Sequence, residues 1–140
     1  MAEIDPVAAL VSYLETESTL QFLIEGRVFG EELPAVENAQ MPRACIVVMA
    51  SGGGGNIGSS YQQFGDGRVD VRCYGPSTRE AKRLANLVYV AIKTLKRTVE
   101  KSCLIHWARL AGGPIKLNDL DTDWPCFWMS WQLLAAEVAA

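Results

Sequence analysis

Arg68-Val69-Asp70-Val71-Arg72-Cys73-Tyr74-Gly75-Pro76-Ser77-Thr78-Arg79-Glu80-Ala81-Lys82-Arg83-Leu84-Ala85 decides the fold class. Its first seven residues alternate strictly. Val69, Val71 and Cys73 point one way, and Arg68, Asp70, Arg72 and Tyr74 the other, the pattern of a half-buried antiparallel strand. Gly75-Pro76 breaks it. Ser77, with Glu80 three residues later, forms a capping box that starts a helix. Ala81, Leu84, Ala85, Val88, Ala91, Ile92 and Leu95 then share one stripe, and the spacing predicts a helix to about Arg97. Lys93, Lys96 and Arg97 suit its negative end. Leu87, Tyr89 and Val90 lie off the stripe, so this helix carries more apolar surface than one sheet face covers.

On the N-terminal side, Cys45-Ile46-Val47-Val48-Met49 reads as a strand apolar on both faces. Between it and the alternating strand lies Ser51 to Ser60, nearly all glycine and serine around Asn56 and Ile57, a flexible hairpin loop. Tyr61 to Phe64 is expected to begin the returning strand, and Asp66-Gly67 to turn or bulge it. Further upstream, Asp5-Pro6 opens a helix as cap and first residue. Val7, Leu10, Val11 and Leu14 repeat at helical spacing. Ser18-Thr19 caps a short second turn with Leu20, Phe22 and Leu23, which ends at Gly26. Arg27-Val28-Phe29 reads as a short strand, and Gly30 to Arg43, with Pro34 and Pro42, as a loop.

On the C-terminal side, Cys103 to Leu110 reads as a strand that Gly112-Gly113-Pro114 breaks. Lys116 to Asp123 reads as a polar loop, and Trp124 to Ala136 as a long last strand. Hairpin-paired strands with helices on one face make an α+β domain. The expectation is an antiparallel sheet of about four main strands, two helices on one face and a glycine-rich hairpin loop, in one domain spanning residues 1–140.

Composition excludes several classes. The 140 residues are 49% hydrophobic and 21% charged, ordinary for a globular fold. The net charge of −3 argues against general nucleic-acid binding, which needs a basic face. No apolar run approaches the roughly 20 residues of a membrane helix. The start, Met1 to Pro6, has no basic region of the signal-peptide kind. Cys45, Cys73, Cys103 and Cys126 lack CxxC spacing and fall in expected strands, so they read as buried reduced thiols.

Each candidate chemical motif fails on its context. Gly53-Gly54-Gly55-Asn56-Ile57-Gly58 matches G-x-G-x-x-G after a strand. No apolar helix follows to hold a pyrophosphate, and a P-loop lysine is absent. Asp119, Asp121 and Asp123 resemble the start of a calcium loop. Trp124 stands where glycine is required, and Ser130 where glutamate is. His106 is the single histidine and lies between Ile105 and Trp107, without a nucleophile motif or zinc-ligand spacing. No catalytic residue, cofactor or metal is expected.

Two charged or aromatic sets remain. Arg79, Lys82, Arg83, Lys93, Lys96, Arg97 and Lys101 lie on or near the long helix. They form a solvated face or meet an acidic surface such as Glu31, Glu32 and Glu37. Trp107, Trp124, Trp128 and Trp131 concentrate near the C-terminus, for core packing or for an interface.

The order of these pieces resembles the tail-completion and tail-terminator proteins of long-tailed bacteriophages. The residues that carry the resemblance are Gly26 to Phe29 with Leu33-Pro34, Met41 to Val48, the variable loop, and Arg68 to Tyr74 running into Ser77 to Ala85. It extends from about residue 6 to the last strand, and is most specific from Arg68 to Leu95. The resemblance implies a non-enzymatic virion protein assembled in the host cytoplasm. It implies a homo-hexameric ring at the head-proximal end of the tail, which stops tail-tube polymerisation and meets the head connector. DNA would pass through without sequence-specific binding, and no membrane is involved.

A ring needs two different patches that meet between neighbours. The candidates are Leu87, Tyr89 and Val90 on the helix and Trp128 and Trp131 on the last strand. Gly53, Gly54, Gly55, Asn56 and Ile57 are candidates for docking. The alternatives are a head–tail adaptor, a tube protein, or a small enzyme or ligand-binding domain built on His106 or the glycine loop.

Overall fold

The computed structural model describes residues 5–50, 64–100, 103–118 and 124–137. The chain opens with α1 (Pro6–Thr16), where the Ala8 amide donates to the Asp5 carboxylate at 3.1 Å. Val7, Leu10 and Leu14 are buried. A second helix, α2 (Ser18–Ile24), follows after one extended residue, Glu17, and ends at Glu25 and Gly26, both with positive φ. Ser18 is the first residue of α2, not its cap.

Next comes β1 (Val28–Gly30). Arg27 locks this corner: its Nε donates to the Ala44 carbonyl at 2.8 Å and a terminal nitrogen to the Leu23 carbonyl at 3.0 Å. The expected loop from Gly30 to Arg43 contains a one-turn helix, α3 (Ala35–Asn38). A bidentate pair fixes it, with Arg43 donating to both Glu37 carboxylate oxygens at 2.6 and 2.7 Å.

The strands β2 (Cys45–Ala50) and β3 (Phe64–Tyr74) are antiparallel, from Cys45↔Tyr74 to Ala50↔Val69. The glycine-rich stretch, with Gly53, Gly54, Gly55, Asn56 and Ile57, lies outside the described residues. The ladder from β3 to the last strand runs unbroken from Phe64↔Ala136 to Tyr74↔Cys126, so Asp66-Gly67 neither turns nor bulges it.

The capped helix is α4 (Thr78–Lys93), with the Glu80 amide donating to the Ser77 hydroxyl. It stops short of Arg97. The Thr94 hydroxyl donates to the Val90 carbonyl at 2.9 Å, and the chain turns into an unexpected strand, β4 (Lys96–Glu100). Leu95 continues the apolar stripe and is buried, which is why the pattern reads as helix past its end.

The strand β5 (Cys103–Asn118) runs through Gly112-Gly113-Pro114, where a break was expected. The irregularity is absorbed as register shifts against β6 (Pro125–Glu137). The result is a mixed six-stranded sheet, β1-β2-β3-β6-β5-β4, with β1 parallel to β2 and the other pairs antiparallel. Four helices occur among the described residues. The α+β class holds, and the four-strand, two-helix count is corrected upward. The missed elements are short, and tertiary pairing rather than local propensity decides them.

The main core lies between the helices and one sheet face. It joins Leu10, Leu14, Leu20, Ile24, Ile46, Val48, Val69, Val71, Leu84, Val88, Met129, Trp131 and Leu133. A smaller cluster on the opposite face joins Cys45, Val47, Tyr74 and Cys126, with Phe29, Leu33, Met41, Met49 and Trp124 against it. That second cluster explains why β2 is apolar on both faces. Burial pushes the Cys45 thiol up to about 12 and the Cys73 thiol well above its ordinary range, so both stay protonated and unreactive.

Glu37 is buried, and its hydrogen bonds from Arg43 hold its carboxyl below the ordinary carboxylate value. A carboxyl depressed by folding stabilises the protein above its unfolded value, and that stabilisation is lost as pH falls through the folded one. Stability is therefore expected to drop as pH falls below 4.5. Glu37→Gln should be less stable than the wild type at neutral pH and should show a shallower acid slope in urea melts run across that window.

Candidate assembly surfaces

Helices α1, α2 and α4 cover one face of the sheet. On the other face, cross-strand pairing lines up Arg72–Trp128–Ile115, Asp70–Ser130–Gly112 and Arg68–Gln132–Arg109. Paired residues share a face of the pleat. Arg68, Asp70, Arg72, Trp128 and Gln132 are half-buried there, while Ile115 and Leu117 are 49% and 38% exposed. The Arg109 guanidinium stacks on the Trp107 ring at 4.9 Å. Gly112 leaves room for Trp128, whose ring lies 3.6 Å from where a Cβ would stand. This is an arginine-rich face with an apolar margin along β5.

The sequence candidates separate. Trp128 is half-buried on this open face. Trp131 is 1% exposed and packs on Tyr89 at 5.7 Å between ring centroids. It belongs to the core and offers no docking surface, because its strand neighbours Met129 and Leu133 face the same helices. Leu87 and Tyr89 are half-buried against that core, whereas Val90 is 55% exposed. The surplus apolar surface of α4 is covered mainly within the chain. Helix α2 packs beside it, and the Tyr13 hydroxyl of α1 donates to the Ala91 carbonyl at 3.0 Å.

The charged sets separate too. Arg79, Lys82, Arg83 and Asn86 are exposed and line a groove on α4 with Glu80. Arg83 lies over the ring of Phe22, itself 61% exposed. Lys93 is exposed near Tyr89. Lys101 lies outside the described residues, as do Asp119, Asp121 and Asp123. Glu37 is spoken for by Arg43, so it is not an acidic docking residue. Glu31 and Glu32 are exposed.

Sequence reasoning missed an acidic groove lined by Asp5, Ala8, Ser12 and Glu15 of α1, with Val7, Val11, Gly30 and Glu31. The spacing 5, 8, 12, 15 marks one helix face and was the available signal. It missed Ile115 and Leu117 because that stretch reads as a loop.

His106 is half-buried in β5. Among the described residues no three His, Cys, Asp or Glu side chains gather as a metal site, and no helix is long and apolar enough to cross a membrane.

No protein-family model matches the chain, and no curated protein matches it. A solved structure does. A chain from the virion of a native gene transfer agent (GTA) particle superposes with a TM-score of 0.63. The match covers 94% of each chain at 12% identity. At that identity the likeness is one of fold, and it extends over nearly the whole of both chains.

Proposed function

We propose that this chain is a structural virion protein of the phage-tail kind. It forms a closed ring at the head-proximal end of the tail, ends tail-tube polymerisation and joins the tail to the head connector. DNA passes through the ring without base-specific contact. The observation that carries the reading is the near full-length fold shared with a chain of a GTA virion. The order of elements that resembles tail-terminator proteins points the same way. The role needs surfaces rather than a reactive centre. The open sheet face, the basic face of α4 and the acidic groove on α1 are surfaces of different chemistry, from which a heterologous ring contact can be built.

The test is the solution mass by light scattering, with negative-stain images, for the chain alone and mixed with isolated tail tubes. Six copies of 15.3 kDa give about 92 kDa as a closed ring. A ring of that mass, or a monomer that becomes one on a tube end, is the expected result. Twelve-membered rings would indicate a connector, and open-ended tubes a tube protein. A monomer indifferent to tubes overturns the reading.

A further inference from the structure

Two helix faces of this chain carry opposite charge, and each places a charge at the unfavourable end of its helix, Arg79 in the first turn of α4 and Glu15 in the last turn of α1. On α4 the exposed stripe Arg79, Lys82, Arg83 and Asn86 lies in the first turns, with Glu80 the one acid in the groove among the described residues. The N-terminal end of a helix is already positive, so cations there are unfavourable. On α1 the stripe Asp5, Ala8, Ser12 and Glu15 ends in an acid near the negative C-terminus, and no basic residue stands in the last turn. Glu31 adds a third acid to that groove from a backbone with φ of 70°, and no basic residue lines it among the described residues. Each arrangement would be relieved by the other's charges.

We propose that these two faces are the halves of one head-to-tail contact between copies of this chain. Arg79, Lys82 and Arg83 of one copy lie against Asp5, Glu15 and Glu31 of the next. The occupant follows from complementarity: both faces are grooves along a helix, and among the described residues the charged side chains of one are all acidic while those of the other are predominantly basic. Ala8 and Asn86, short side chains on the two stripes, let the backbones approach. Phe22, exposed beside Arg83, supplies an apolar anchor of the aromatic kind that interface cores favour. Because the two patches are different, the contact is heterologous and closes into a ring if the rotation allows. This inference rests on the ring reading and deepens it.

The test is charge exchange, read by light scattering on the full chain. Lys82→Glu with Arg83→Glu gives one variant, and Glu15→Lys with Glu31→Lys the other. Asp5 is left alone because it caps α1. Each variant alone sets like charges against each other and should raise the concentration needed for assembly at least about a hundredfold. Mixed in equal amounts, they can alternate around a ring with every contact restored, and should reassemble. Wild-type assembly should weaken as salt is raised. A neutral variant, Arg79→Gln, Lys82→Gln and Arg83→Gln, should lose that salt dependence.

Thermal melts of each variant check folding, since all the altered side chains are exposed. Rings that form equally well with either reversal overturn this contact and leave the ring reading standing. So do folded variants that stay monomeric when mixed, or reversals that abolish only binding to DNA. A wild type that never self-associates, alone or on tail tubes, overturns both.

Discussion

Trp131→Ala should lose about 3–5 kcal/mol of stability, the range for truncating a buried aromatic side chain. Trp131 is 1% exposed. It pairs across β3 with Val69 and across β5 with Leu110, and it stacks on Tyr89 from α4. Its removal opens a cavity where three strands and a helix meet. For a domain whose total stability is on the order of 5–15 kcal/mol, that loss is severe. The melting temperature should fall by roughly 10 °C or more.

Trp131→Phe gives the informative contrast. The indole Nε1 is buried with no hydrogen-bond acceptor among the described residues. Phenylalanine keeps most of the apolar contact and removes a donor that gains nothing from burial. It should cost less than about 1.5 kcal/mol. Urea melts of both variants decide the matter. An alanine variant that melts like the wild type but fails to assemble would return Trp131 to an interface.

That contrast marks where the sequence is legible. The alternation of β3 and the Ser77 cap of α4 are local patterns, and both appear as read. The alternation of Trp128 and Trp131 onto opposite faces is also local. Which of those faces the helices cover depends on the pairing of β6 with β3, through Val71↔Met129 and Val69↔Trp131, and that pairing is non-local. The same limit applies to α4. Its surplus apolar residues are visible in the sequence, but that Leu87 and Tyr89 pack against the core while Val90 stays exposed is not. The short strand β4, paired with β5, hides behind the apolar stripe of α4, whereas β1 overlaps the short strand that Arg27-Val28-Phe29 announces. Apolar periodicity finds core stripes, so the acidic stripe on α1 passes as ordinary solvated surface until its groove with Glu31 is seen.

Gly113→Ala is the second substitution with a large expected effect, at about 2–5 kcal/mol. Gly112-Gly113-Pro114 reads as a strand break because glycine and proline punctuate local structure. The strand continues because β6 pairs with β5 as far as Asn118↔Pro125, whereas β4 pairs with it only as far as Trp107. Beyond that point β5 is an edge among the described strands, where proline and bulges are tolerated. Gly113 takes φ of +85°, and a Cβ there would sit 2.4 Å from the Trp128 carbonyl oxygen and 3.0 Å from the Met129 Cα. Alanine would meet two costs: about 1–2 kcal/mol for the left-handed backbone and about 1–3 kcal/mol for forcing apart two paired strands.

Gly26 separates these costs. Its φ is +78° with nothing within 4 Å of a would-be Cβ, so Gly26→Ala should show the conformational cost alone, about 1 kcal/mol. If the two alanine variants melt alike, the close approach of β5 to β6 at Trp128 is not what requires glycine. If Gly113→Ala is much the weaker, the bulge holds the two strands together and sets Trp128 and Ile115 side by side on the open face. Assembly should then suffer along with stability in Gly113→Ala, while Gly26→Ala rings remain intact.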